Sequence, residues 1–218
     1  MTYRGESLAK SPVLVASQGA MPRVDGRRLR SERTRKNIIE AYLELLRCNP
    51  QIPTSAQIAR QAGIAVRSVF ERFSDLAALT LATADYAIAV GQAEAAPRDV
   101  DGDRPTRIRS HVATRATACE RWLPLWRVMT ATQQQLDELR MRVVMARQGN
   151  IARMQLMYGA ELATLAEPQR DQLLVAMATL TSFESWDQMR DCYGMSTDEA
   201  QAVWRNAIER ILPPTPTT

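Results

Sequence analysis

The 218-residue chain has one histidine, three cysteines, three phenylalanines and nine scattered glycines, and each scarcity removes a class of chemistry. His111 stands in Arg109-Ser110-His111-Val112 with no neighbouring serine or cysteine arrangement, which leaves neither a nucleophilic triad nor an HExxH zinc pair. No glycine-rich loop is present to cradle a phosphate. Cys48, Cys119 and Cys192 are far apart, odd in number and outside metal-ligand spacing, which fits free thiols in a reducing compartment and predicts no metal site. Asp99, Asp101 and Asp103 alternate but lack the spaced glycine and distal glutamate of a calcium loop, so they read as a solvated turn. A run of about 18 apolar residues, the minimum for a membrane span, is missing, and the opening Met1 to Glu6 lacks the apolar centre of a secretory signal. A cytoplasmic protein without membrane partner is expected. Neither enzymatic activity nor a cofactor is expected.

Strand-like alternation is also missing, and what remains is helix after helix, so the predicted class is all-α with about nine helices. Residues 1 to 22, with Pro12, Gly19 and Pro22 and no helical period, read as a flexible extension. A first helix is predicted from about Ser31 to Cys48 on the stripe Ile38, Ile39, Tyr42, Leu45 and Leu46, ended by Asn49-Pro50. A fourth helix is predicted from a Ser74 cap to about Ala95, before a charged break over Pro97 to Pro105. Beyond it the pattern predicts helices at about Thr106 to Arg121, a Pro124-interrupted stretch to Thr132, Gln134 to Leu165, Glu167 to Tyr193 and Thr197 to Ile211. Ser196 with Glu199 forms a capping box for the last, and Pro213-Pro214-Thr215-Pro216 cannot prolong it.

The segment Thr54 to Phe73 carries the sharpest signal. Thr54 and Gln57 form a capping box that starts a helix at Ser55, and Gly63 supplies the left-handed angle that ends it. Ile64 and Val69 can fold over Ile58 and pin a second short helix, about Val66 to Arg72, across the first. That spacing is a helix-turn-helix, with Arg67, Ser68 and Arg72 of types suited to phosphates and base edges. Ile58-Ala59, Ala62-Gly63-Ile64, Val69-Phe70, Phe73 and Leu79 together resemble the N-terminal domain of the tetracycline-repressor-like (TetR) family of bacterial transcriptional regulators. The family's usual capping serine, phosphate-binding tyrosine and phosphate-binding lysine are replaced here by Ala65, Phe70 and Leu76. Anchoring on DNA must then come from other cations.

Those cations are concentrated upstream. Residues 1 to 73 hold 13 Lys+Arg against 6 Asp+Glu, a net of +7, whereas residues 74 to 218 hold 15 against 18, a net of −3. A positive head on a slightly acidic body is the footprint of a protein that docks one end on a polyanion. Arg23, Arg27, Arg28, Arg30, Arg33, Arg35 and Lys36 lie just before and within the first helix, where an arm could follow phosphates or enter a minor groove. The alternative for this flank is a solvated tail. The candidate DNA-binding residues are Arg28, Arg30, Arg33, Thr54, Val66, Arg67, Ser68, Phe70 and Arg72, with a double-stranded operator as partner.

The resemblance implies a reader domain at residues 23 to 75 and a ligand-sensing and dimerisation domain at 76 to 212, while the proline run marks residues 213 to 218 as a frayed tail. It implies that the last two helices pack on a second copy, and their apolar surface is wide enough for that, with Leu173, Leu180, Trp186, Val203, Trp204 and Ala207 as candidate interface residues. It also implies release from DNA when a small hydrophobic effector enters the body. Trp122, Trp126, Met129, Met145, Met154, Tyr158, Met177 and Phe183 are large, adaptable side chains that would line such a pocket, or else simply fill the core. The expected function is a homodimeric, ligand-responsive repressor, against the alternative of a helical adaptor that binds protein and not DNA.

Overall fold

Helices form where the apolar spacing and caps demand them, and the computed structural model, which describes residues 26–49, 51–94 and 99–216, contains no strand among those residues. The predicted extension at 1 to 22, with Arg23, lies outside the described residues.

α1 (Gly26–Cys48) buries Ile38, Ile39, Tyr42 and Leu46 of the predicted stripe and half-buries Leu45, but it starts at Gly26, ahead of the predicted Ser31. Arg27, Arg28, Arg30 and Arg33 therefore project from a helix, not from an arm. α2 (Ser55–Ala62) has the predicted capping box: Thr54 Oγ1 accepts from the Gln57 amide at 3.3 Å and Gln57 Oε1 accepts from the Thr54 amide at 2.8 Å. Gly63, at φ 66°, ends it, and the Ile64 amide donates back to the Ala59 carbonyl at 3.0 Å. α3 (Val66–Phe70) is held on α2 by Val69, which is buried with Ile58 and Ala59. Ile64 is half-buried beside them, as the spacing predicted.

α4 (Leu76–Glu94) is capped by Asp75 and not by Ser74: Asp75 Oδ1 accepts from the Ala78 amide at 2.7 Å. Among the described residues it is the one helix long and apolar enough to cross a membrane, with a mean hydropathy of 1.3. It packs on α1 and on two later helices, and mid-helix polar groups take part: Tyr42 and Thr80 share a hydrogen bond at 2.9 Å, and Asp85 pairs with Arg142 at 2.8 Å.

α5 (Arg104–Thr132) corrects the sequence reading twice. Asp103 caps it by accepting from the Thr106 amide at 2.9 Å, so the helix starts within the predicted break. It also runs unbroken through Pro124. An interior proline costs roughly 3 kcal/mol, but Trp122, Leu125 and Trp126 on either side of it are all buried. Burying each contributes roughly 1.5–3 kcal/mol, so packing outweighs the break.

The long helix predicted to reach Leu165 divides. α6 (Asp137–Met157) stops where Tyr158 turns inward with φ −122° and ψ 21°, and α7 (Gly159–Leu162) follows. The helix predicted over 167 to 193 divides too. α8 (Glu167–Leu180) ends at Thr181, whose hydroxyl donates to the Met177 carbonyl at 2.9 Å, and Ser182 caps α9 (Phe183–Asp187) by accepting from the Ser185 amide at 3.0 Å. A π-helical turn, Gln188–Cys192, extends α9. α10 (Thr197–Ile211) has the predicted Ser196/Glu199 capping box. Where it is described, the chain after α10 is tied down and not frayed. Arg104 donates to the carbonyls of Glu209, Leu212 and Pro213, and the Thr215 hydroxyl donates to Glu161 Oε1 at 2.5 Å.

Candidate DNA interface and interior site

α3 is built to present side chains. Val69 anchors it inward at 2% exposure, while Val66 and Phe70 stand outward at 41% and 50%. An apolar pair that exposed on a five-residue helix is surface available for contact. Arg67 is more open still, its side chain 89% exposed and its Nε donating to Glu71 Oε1 at 3.0 Å, one turn on. Ser68 is half-buried. No side chain caps α3, because Ala65 occupies its N-cap.

The remaining candidates separate. Arg30 and Arg33 are exposed on α1, and Arg28 is exposed and paired with Glu32 at 2.9 Å. Thr54 spends its hydroxyl on the α2 capping box, which leaves its structural role accounted for. Arg72 is half-buried, with its Nε lacking a hydrogen-bond partner, so it is less available to an outside anion than its spacing from Arg67 suggests. Arg35, read as part of the basic flank, is exposed but engaged within the protein: Nη1 donates to the Arg72 carbonyl at 3.0 Å and the guanidinium lies 4.3 Å from the centre of the Phe73 ring.

In the body, Trp122, Trp126, Met129, Met154, Tyr158, Met177 and Phe183 are all buried in one continuous core. The Trp126 and Phe183 rings stack with centroids 4.6 Å apart. Met145 does not join them. It is 45% exposed on the outer face of α6, which places it outside the predicted pocket. The reason is helical phase, since Val143, Asn150 and Met154 take the inward positions.

Sequence reasoning missed the polar lining of this core. Arg107 and Glu161 form a buried ion pair, with Nη1 donating to Oε2 at 2.8 Å. Burial alone would raise the Glu161 carboxyl, but the bonds from Arg107 and Thr215 outweigh it and hold the pKa at about 2. His111 Nδ1 lies 2.8 Å from the Tyr158 hydroxyl. Burial, then the guanidinium charges of Arg115 and Arg153, depress His111 to about 3, so the ring is neutral at ordinary pH. The Asn150 side chain, a polar neighbour of the ring, opposes that lowering and donates to Thr181 Oγ1 at 3.2 Å, while His111 Nε2 has no partner at hydrogen-bond distance. Burial likewise raises the Tyr158 phenol.

The candidate interface residues also divide. Trp186 and Trp204 are fully buried within the protomer, with ring centroids 4.8 Å apart, and cannot touch a second copy without unpacking the core. Leu173, Leu180 and Ala207 are half-buried, and Val203 is exposed. Val175 at 59% and Ile211 at 42% are exposed on the same two helices, α8 and α10, which touch each other.

No family model matches the chain, and no curated protein matches it in sequence. Two solved structures do match in shape. One, described as a TetR-family transcriptional regulator from Rhodococcus sp., aligns with a TM-score of 0.63 at 16% identity, covering 82% of this chain and 98% of that one. The other, described as a TetR-family transcriptional regulator from Mesorhizobium loti MAFF303099, aligns with a TM-score of 0.56 at 17% identity, covering 84% of this chain and 96% of that one. The chain thus has the all-α fold of these two TetR-family regulators.

Proposed function

We propose that the protein is a DNA-binding transcriptional regulator of the TetR type, a repressor that binds a palindromic operator as a homodimer and lets go when a small, largely apolar effector enters its body. The observation that carries this reading is α3: a short helix pinned by Val69 at the basic end of the chain, with Val66, Arg67 and Phe70 turned outward. A helix so presented can enter a major groove, while Arg28, Arg30 and Arg33 on α1 supply phosphate contacts. Two copies would set the two α3 helices one turn of DNA apart and multiply the affinity of each. The second copy would sit on the outward faces of α8 and α10, around Val175, Val203 and Ile211, with Leu180 and Ala207 at its edge.

The proposed switch has two states. DNA selects the dimer whose readers match successive grooves, and the effector, among Trp122, Trp126 and Tyr158, selects another angle of α4, which joins reader to body. Selection of bound sequences from a random DNA pool tests the reading. Enrichment of an inverted repeat with half-sites about one helical turn apart is the expected result. A pool that yields no enriched sequence, together with binding that does not weaken as salt rises, would favour the protein-binding adaptor.

A further inference from the structure

The interior of the body is not chemically neutral, and its imbalance points to the kind of molecule it takes. His111 is 1% exposed, and its Nε2 has no hydrogen-bond partner. The Tyr158 phenol, kept protonated by burial, faces Nδ1 at 2.8 Å. When that phenol donates to Nδ1, the ring hydrogen sits on Nε2, which is then a buried donor in want of an acceptor. A buried donor left unmatched costs about 1–3 kcal/mol, a cost that a ligand's acceptor would remove.

Arg115 lies one turn further along α5. Its Nε donates to the Thr181 carbonyl at 2.7 Å and its guanidinium lies over the Phe183 ring at 4.4 Å, but no carboxylate among the described residues pairs with it. The contrast with Arg107, also on α5, is instructive, because Arg107 has Glu161. The Phe183 ring under Arg115 stacks in turn on Trp126, so the cation stands at the edge of the aromatic part of the core. A hydrogen-bond donor without an acceptor and a half-buried cation without a carboxylate partner therefore stand one turn apart on α5, the cation beside an aromatic wall.

We propose that the effector is an amphipathic carboxylic acid whose carboxylate accepts from His111 Nε2 and Arg115 while its apolar body lies against Trp126 and Phe183. The assignment rests on the reading above, that the body binds an effector, and narrows that effector from hydrophobic molecules in general to acids. A carboxylate satisfies both groups at once. A neutral apolar molecule satisfies neither.

The test compares matched pairs on the full-length protein: octanoic, dodecanoic and 1-naphthoic acids against their methyl esters. Binding is followed by tryptophan fluorescence, and release from the selected operator is followed in parallel. A hydrogen bond to a charged group discriminates by roughly 10-fold to 100-fold, so at least one acid is expected to bind about 10-fold or more tighter than its ester. Arg115→Gln is expected to erase that preference by weakening acid binding far more than ester binding; should this variant fail to fold, the acid-to-ester ratio of the unaltered protein decides. Equal affinity for acid and ester overturns the proposal, as does the absence of binding by every acid. Acids that bind without releasing DNA would leave the carboxylate site standing and remove the regulatory reading. Esters that release DNA as well as the acids do would leave regulation standing and remove the carboxylate site.

Discussion

The guanidinium of Arg35 lies over the Phe73 ring at 4.3 Å and closes the N-terminal helices by donating to the Arg72 carbonyl at 3.0 Å, tying α1 to the turn that follows α3. A cation over an aromatic face contributes about 0.5–1 kcal/mol and a charge-assisted hydrogen bond somewhat more. Arg35→Ala is therefore expected to lower stability by about 1–3 kcal/mol, read from urea unfolding. Arg35→Lys should recover little of it, because an ammonium neither stacks flat nor reaches the carbonyl with the same fork. Full recovery by lysine would show that charge alone acts here.

Arg67 gives the opposite signature. With its side chain 89% exposed and only the one-turn pair to Glu71, it contributes little to folding. Arg67→Ala should stay within about 0.5 kcal/mol of the parent in stability and lose about 10-fold or more in operator affinity. Unchanged operator binding would remove α3 as the reading helix.

The missing cap of α3 offers a gain. Ala65 has the extended N-cap geometry, φ −71° and ψ 146°. The Ser68 amide already donates to the Ala65 carbonyl at 2.9 Å, but the Arg67 amide, in the first turn, has no carbonyl four residues back within the helix. A serine hydroxyl at position 65 would accept from it. Ala65→Ser is expected to raise stability by about 0.5–2 kcal/mol, measured as a shift in the urea midpoint. No shift would mean that the first turn of α3 is already satisfied by water.

The N-terminal helices were legible in the sequence because their determinants are local. Thr54 with Gln57, Gly63 and the Ile58/Val69 spacing all act inside the segment Thr54 to Phe73, and each has its predicted place. The body was legible only as helix. Tyr158 and Thr181, where α6 and α8 end, bond to partners far along the chain, His111 for the one and Arg115 for the other, and apolar periodicity does not mark such breaks. For the same reason apolar periodicity gave Trp186 and Trp204 to a dimer face: it shows that a side chain will be buried, not which copy of the chain buries it. The Arg107–Glu161 pair, 54 residues apart, left no pattern to read.

That distinction makes a prediction about assembly. If α8 and α10 form the face between two copies, Val175→Glu with Val203→Glu places charges on exposed positions of one protomer and inside the pair, so the double variant should be folded and monomeric by sedimentation. Operator affinity should fall with it, since a single reader loses the gain of a linked second site. Trp204→Ala differs in kind: it removes a side chain with no exposed surface and should cost roughly 3–5 kcal/mol of protomer stability. A double variant that remains dimeric would move the interface elsewhere.

His111 is the only histidine of the chain, which allows its titration to be read without interference from another. In the fold its pKa is depressed from 6.5 to about 3, by burial and then by Arg115 and Arg153, with Asn150 opposing. The unfolded chain therefore takes up a proton near pH 6.5 that the folded chain refuses, and the stability that neutral His111 protects is complete above that pH. It is lost as the pH falls, by about 1.4 kcal/mol per unit, until the folded pKa is reached. The depressed carboxylate of Glu161 acts in a lower window, beginning near its ordinary 4.5 and ending near 2. Between about pH 6.5 and pH 5 the histidine thus acts apart from Glu161, and the protein should lose roughly 2 kcal/mol there in urea unfolding. His111→Gln, which cannot titrate, should flatten the profile across that interval whatever its own stability at neutral pH. A parent profile that is already flat would mean that the ring reaches water or a counter-charge in the folded state, and would remove the unmatched Nε2 donor on which the carboxylate assignment depends.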